Sequence, residues 1–196
     1  MSESTLATKA RQTTYEIMRL FELYGNEDYD GEPVSQASHM IQCAMLAMDH
    51  ACEMELILGA FLHDIGHLLG HEQGTEAMGA FGVVNHEGVG AAYLRKGGFP
   101  ERICAVVEQH VAAKRYLVAT DAAYQKKLSP ASVQTLQWQG GPMTGDEVRK
   151  FQQHPYFHDI IKVRLWDEDA KDTKATLLPL SFFRNMIQEY LTNSTN

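Results

Sequence analysis

Several histidines and aspartates of this sequence lie at spacings that can bring their side chains to one point. In the segment His63-Asp64-Ile65-Gly66-His67 the two histidines are four residues apart, so a helix places them on one face. The residues around Asp64 are apolar, and an ionised carboxylate near a core is costly without a cation or hydrogen-bond donors. The pattern therefore predicts a metal site. His39, His86 and His110 lie where helices can carry them to the same cavity.

A single histidine is more often a surface imidazole or a core side chain with a backbone partner. That simpler interpretation is kept for the four histidines with no matched partner, which are His50, His71, His154 and His158.

Helical periodicity dominates the rest of the chain, and no pair of segments carries a hairpin signal. We predict an all-α fold with one domain over residues 1–196, a core over about 35–170, and N- and C-terminal helices packed on it. Ser35 and Thr144 are predicted helix caps, Pro100 is predicted at a first turn, and the segment 139–142 is a predicted turn. The predicted helices cover residues 5–23, 35–51, 53–70, 85–94, 100–114, 129–137, 144 onward, 155–167 and 180–191.

Composition limits the partners and the compartment. Seventeen basic residues against 25 acidic ones give a net charge of −8, with no basic block to follow a nucleic-acid backbone. No apolar run approaches the roughly 20 residues that span a bilayer. Cys43, Cys52 and Cys104 are odd in number and widely spaced, which favours reduced thiols. We expect a cytoplasmic protein with a small-molecule partner, no nucleic acid and no membrane; the oligomeric state is open.

The order His39, His63-Asp64, Asp167 resembles the H…HD…D signature of HD-domain metalloproteins. The resemblance implies a single HD-domain helical bundle in which these four residues hold one metal ion. His86 and His110 lie where two-metal members carry ligands for a second ion, with Asp64 as the bridge. Imidazole and carboxylate ligands by themselves suit iron, manganese, zinc or nickel.

From Tyr29 to Asp167 the chain resembles the oxygenase branch typified by 2-amino-1-hydroxyethylphosphonate dioxygenase, which uses a mixed-valent Fe(II)/Fe(III) pair. The resemblance implies two iron ions, O2 as co-substrate, and cleavage of the C–P bond of a 1-hydroxy-2-aminoethylphosphonate with a free or N-trimethylated amine. Phosphate and glycine or glycine betaine would be the products. Tyr29 and Glu32, in the segment Tyr29-Asp30-Gly31-Glu32, match the family's contacts to the amino group. From the residues alone, this acidic segment is a solvated loop.

Cationic side chains are predicted beside the same cavity. Lys114 lies one helical turn after His110, and Arg164 lies three residues before Asp167. The resemblance implies that His67 and Lys114 hold the phosphonate, with Asp64, His67 and Lys114 as the catalytic residues. Arg164, Thr135 and Gln139 are expected to complete the substrate site.

Two other classes of function stay open at this point. The same metal ions could activate water in a phosphohydrolase. A non-catalytic, metal-dependent sensor could also keep the ligand set. Release of phosphate without oxygen uptake would favour the hydrolase, and full metal loading without turnover would favour the sensor.

Overall fold

The described residues of this computed structural model, 3–29, 31–73 and 85–193, form an all-α bundle. Asp30 of the predicted amine-contacting segment lies outside them. Within the described ranges the one isolated β-bridge joins Asp28 to Ser35, and no helix is long and apolar enough to cross a membrane. The helices are α1 Glu3–Tyr24, α2 Gln36–Asp49, α3 Met54–Leu62, α4 Ile65–Gln73, α5 His86–Gly97, α6 Glu101–Thr120, α7 Ala122–Lys127, α8 Pro130–Trp138, α9 Gly145–Phe151, α10 Phe157–Asp169 and α11 Leu180–Asn193.

Helix α3 is the centre of the bundle, because every residue from Leu56 to Leu62 is buried. A helix that is apolar on all sides must be surrounded by other helices. On one side the ring of Phe61 stacks between those of Phe21 and Phe183, with centroids 4.7 Å and 4.3 Å away. This aromatic stack packs α1 and α11 against α3.

The prediction of one continuous helix over residues 53–70 is wrong. The chain makes a turn at His63-Asp64, so α3 and α4 are separate helices, and α4 continues beyond Gly70 to Gln73. A Cβ atom on Gly66 would lie 1.9 Å from the carbonyl oxygen of His86, so only glycine lets the start of α4 approach α5 this closely. The turn therefore places the His63-Asp64 pair between several helices.

The helix caps confirm some of the other predicted boundaries, and the structure corrects the rest. Ser35 accepts from the backbone N–H of Ser38, and Thr144 forms the predicted capping box. Gly140 and Gly141 have φ of 93° and 72° in the predicted turn. The predicted start at residue 155 was two residues early. Helix α7 was missed; Asp121 caps it by accepting from two backbone N–H groups.

Candidate metal centre and pocket

Four buried side chains from three parts of the chain meet at one point, and we call them the inner cluster: His39 of α2, His63 and Asp64 of the α3–α4 turn, and Asp167 of α10. The Nε2 atoms of His39 and His63 lie 3.5 Å and 3.3 Å from Oδ2 of Asp64. They lie 3.3 Å and 3.8 Å from Oδ1 of Asp167. All four residues are at most 2% exposed, so the solvent does not supply their hydrogen bonds.

Both imidazoles of the inner cluster are oriented for a cation. Nδ1 of His39 donates to the carbonyl oxygen of Ala170 at 3.0 Å, and Nδ1 of His63 donates to that of Ala60 at 2.8 Å. Each Nε2 then carries a lone pair, and these two atoms face each other at 3.1 Å. Oδ1 of Asp167 is buried without a hydrogen-bond partner. Imidazole nitrogens and carboxylate oxygens that converge in this way are the donor set that a divalent metal ion satisfies.

A second group of imidazoles, the outer cluster, faces the other oxygen of the same carboxylate. Oδ1 of Asp64 lies 3.4 Å from Nε2 of His86 and 3.3 Å from Nε2 of His110. These two nitrogens are 3.0 Å apart, and Nδ1 of His110 donates to the carbonyl oxygen of Val107. The carboxylate of Asp64 thus has one oxygen toward each cluster, which is the geometry of a bridging ligand.

His67 also belongs to the outer cluster. Its Nε2 lies 3.9 Å from Oδ1 of Asp64, and its ring stacks on that of His86 with centroids 3.9 Å apart. The three residues His67, Asp64 and His86 offer donor atoms within 4.8 Å of one another. Because Asp64 lies nearer to His110 than to His67, we take His86 and His110 as the principal ligand candidates and His67 as their neighbour.

The two clusters differ in electrostatics. In the inner cluster burial lowers the pKa of both histidines, but the carboxylates of Asp64 and Asp167 outweigh it and raise the pKa of His39 and, further, that of His63. Burial raises the pKa of the two carboxyls, and the neighbouring cationic and imidazole groups outweigh it and hold them well below their usual values. In the outer cluster burial and the neighbouring imidazoles lower the pKa of His67 and His110.

A cavity of about 50 Å³ opens on the outer cluster. Every residue predicted for the substrate site lies in its wall. Tyr29 covers the inner cluster by stacking on His39 at 4.0 Å between centroids, and burial, then the charge of Asp64, raises the pKa of its phenol. The remaining wall is formed by Glu32, Asp64, His67, His86, His110, Val111, Lys114, Ala131, Ser132, Thr135, Gln139, Arg164 and Asp167.

Lys114 brings a buried amine to this wall. It is 4% exposed, and its Nζ donates to the hydroxyl of Thr135 at 2.9 Å. Burial, together with the charge of Arg164, lowers the pKa of Lys114 to about 7. The side-chain oxygen of Gln139 is buried in the same wall without a hydrogen-bond partner. Donors and acceptors of this kind suit a small anion that carries its own hydroxyl groups.

Arg164 faces the cavity with much of its guanidinium already engaged. Nε donates to the hydroxyl of Tyr124 at 2.7 Å, one Nη donates to Asp167, and the other donates to Glu168 at 2.5 Å. It therefore orients a ligand of the inner cluster, and its expected contact with a phosphonate stays a prediction.

The sequence analysis missed the wall residues Val111, Ala131 and Ser132. It also missed three residues of the charged network beside the pocket: Tyr124, Glu168 and Lys171. Glu168 lies four residues after Arg164 and Lys171 three after Glu168, so helical spacing could have suggested this ion-pair series. Nothing in the sequence indicates that Lys171 meets Glu32, with Nζ and Oε1 2.9 Å apart. Tyr124 belongs to the helix that was missed.

Comparisons with known proteins agree with this geometry. The HD-domain family matches residues 37–137. Uncharacterized protein L432 of Acanthamoeba polyphaga mimivirus is 40% identical over 185 residues, which are 94% of this chain and 84% of that protein. The glycine-betaine-forming 1-hydroxy-2-(trimethylamino)ethylphosphonate dioxygenase of Leisingera caerulea is 42% identical over 174 residues, 86% of this chain and 85% of its own. Hydroxymethylphosphonate dioxygenase of Gimesia maris is 36% identical over 181 residues, which are 91% of this chain and 89% of that protein. The chain therefore belongs to the HD-domain family and is an oxygenase of that superfamily.

Proposed function

We propose that this chain is a di-iron dioxygenase that cleaves the C–P bond of a 1-hydroxyphosphonate. The observation that carries the proposal is the position of Asp64, whose two carboxylate oxygens each face a separate set of imidazoles beside a small polar pocket. A water-activating hydrolase has no need of O2, whereas the named relatives are dioxygenases.

In this proposal the inner cluster holds one iron ion and Asp64, His86 and His110 hold the other. Bound iron, in a mixed-valent Fe(II)/Fe(III) pair, would supply the redox chemistry with O2 that side chains cannot perform. The protein supplies position and charge. Lys114 is the predicted donor to the phosphonate oxygens, with His67 beside it, and Thr135 and Gln139 provide polar contacts on the same wall.

The substrate expected from the sequence is a 1-hydroxy-2-aminoethylphosphonate, as the free amine or the N-trimethyl compound. Its carbon skeleton would leave as glycine or glycine betaine, and its phosphorus as phosphate, with both atoms of one O2 appearing in the products. Tyr29 and Glu32 are the proposed contacts of the cationic group. Tyr29 offers an aromatic face suited to cation–π contact, and Glu32 offers a carboxylate.

A second candidate substrate is favoured by one contact. The carboxylate of Glu32, which lines the pocket, is already paired with the ammonium of Lys171, so it has the positive partner that an aminophosphonate would bring. Hydroxymethylphosphonate, named for the Gimesia maris relative, has no cationic group. With one O2 it would give formate and phosphate.

The test is oxygen uptake measured together with phosphate release from these three compounds, using protein reconstituted anaerobically with iron. We expect near-equal amounts of O2 consumed and phosphate formed with at least one of them. His50→Ala, at an exposed helix end, is the matched control and keeps the wild-type ratio. Release of phosphate at the same rate under strict anoxia would make the chain a phosphohydrolase, and iron loading without any turnover would make it a sensor.

A further inference from the structure

The pocket-lining carboxylate of Glu32 is paired with an internal ammonium group. Nζ of Lys171 lies 2.9 Å from Oε1 of Glu32, 3.0 Å from Oε1 of Glu168 and 3.4 Å from the hydroxyl oxygen of Ser129. An ammonium has three N–H donors, so these three acceptors satisfy it. The side chains of Glu32 and Lys171 are 8% and 13% exposed, which limits the screening of their charges by water.

The backbone on both sides of Lys171 is anchored by hydrogen bonds. The carbonyl oxygen of Ala170 accepts from Nδ1 of His39, an inner-cluster imidazole. The backbone N–H of Asp172 donates to Oε1 of Gln42 at 2.9 Å, and Nε2 of Gln42 donates back to the Asp172 carbonyl at 3.0 Å. The segment that carries Lys171 to Glu32 is therefore the one that also orients His39.

A series of charged side chains that begins and ends in the pocket wall alternates in sign. Asp167 is followed by Arg164, then Glu168, then Lys171, then Glu32, each bonded to the next. The two cations of the series balance the charges of Glu168 and Glu32, which leaves the charge of Asp167 for the inner cluster. Within this series Glu32 consequently has no unbalanced charge to offer a cationic ligand.

We propose that Lys171 determines substrate specificity: its ammonium already pairs with Glu32, the pocket-lining carboxylate that a substrate ammonium would need. The chain accordingly prefers a 1-hydroxyphosphonate whose tail carries no positive charge, of which hydroxymethylphosphonate is the smallest. An aminophosphonate would have to place a second positive charge beside Lys171 or displace it, and like charges in a poorly solvated site repel strongly. This inference rests on the proposed function for its reaction, although the binding preference can be measured without turnover.

The first experiment compares kcat/KM for hydroxymethylphosphonate and 1-hydroxy-2-aminoethylphosphonate in wild type, Lys171→Met and Lys171→Arg. Wild type and Lys171→Arg should prefer the uncharged tail. Lys171→Met leaves Glu32 without a partner, so the ratio should move toward the aminophosphonate by about tenfold or more, the factor given by 1.4 kcal/mol. The double variant Lys171→Met/Glu32→Gln removes the free carboxylate and should cancel that gain. A wild-type preference for the aminophosphonate, or a gain that survives in the double variant, would overturn the proposal.

The second experiment measures binding with compounds that lack the reacting hydroxyl. 2-Aminoethylphosphonate and n-propylphosphonate differ in having an ammonium or a methyl group at the end of the chain. The iron-loaded wild type should bind n-propylphosphonate more tightly by calorimetry, and Lys171→Met should reverse the order. This result stands even if no compound is turned over, in which case the proposed reaction fails while the assignment of Lys171 is kept. An unchanged order in Lys171→Met, with iron content and thermal unfolding like those of wild type, would reject the assignment.

Discussion

The inner and outer clusters share Asp64 but differ in how closely carboxylates surround their imidazoles. Two imidazoles meet two buried carboxylates in the inner cluster, and their pKa values are raised. Three imidazoles share one oxygen of Asp64 in the outer cluster, where the partly exposed Glu87 lies 3.5 Å from Nδ1 of His86, and the pKa values of His67 and His110 are lowered. The inner cluster attracts a cation more strongly, whereas the lowered pKa values keep His67 and His110 neutral at neutral pH.

The two clusters also differ in their access to the pocket. The outer imidazoles line the pocket, while Tyr29 covers His39 and, among the described residues, neither inner imidazole lies in the pocket wall. A buried site rich in carboxylates suits an ion that is retained, and an open site suits one that exchanges ligands during a reaction. We therefore expect the inner cluster to retain its ion and the outer cluster to be the one reached from the pocket.

Asp64→Asn should have the largest effect because it removes the group common to both clusters. The amide keeps the shape of the carboxylate without its charge, so both ions should bind weakly and oxygen uptake should fall by about 10³-fold or more. Elemental analysis and an oxygen electrode measure the two quantities. Asp49→Asn, on the exposed end of α2, is the matched control. Equal iron content in the two variants would contradict the bridging position.

Substitution of Lys114 should have a smaller effect, which concerns substrate binding in the pocket and not the metal content. Lys114→Met should raise KM for the phosphonate about 10- to 100-fold without loss of iron, because one charged hydrogen-bond donor contributes about 1.5–3 kcal/mol. The pKa of Lys114 is about 7, so the protonated fraction falls as the pH rises through that value. KM should therefore rise above pH 7.

Lys114→Arg provides the control for that pH dependence. A guanidinium stays charged over this range, so the increase of KM above pH 7 should become smaller. If KM rose equally above pH 7 in wild type and Lys114→Arg, the rise would have to come from the titration of another group.

The smallest effect, a change in stability, is expected when the hydrogen bonds that hold Asp167 of the inner cluster are weakened. Tyr124→Phe removes the buried acceptor of Arg164, which holds Asp167, and should lower the free energy of unfolding by about 1 kcal/mol. Denaturant unfolding measures it. The control is Tyr116→Phe, whose hydroxyl accepts from Gln152 in an exposed bond, and a change below about 0.5 kcal/mol is expected. A loss in Tyr124→Phe no greater than that in Tyr116→Phe would show that the bond from Arg164 to Tyr124 adds no stability.

The sequence predicted most of the helices, although not α7, and the residues that converge, since helical spacing and capping are local properties. It did not predict the turn at His63-Asp64, because apolar residues continue at helical spacing across a break where Gly66 contacts α5. Nor did it predict the pairing of Glu32 with Lys171, which are 139 residues apart. Long-range charge pairs carry no local signal, and this one bears most directly on the substrate.

The iron content of His86→Ala tests the central claim, that Asp64 joins two distinct metal sites, most directly. After anaerobic reconstitution we predict two iron ions per chain in wild type and one in His86→Ala, because the inner cluster keeps its four ligands. His50→Ala should bind as many ions as wild type. One ion per chain in wild type, or the same number in wild type and His86→Ala, would contradict the account.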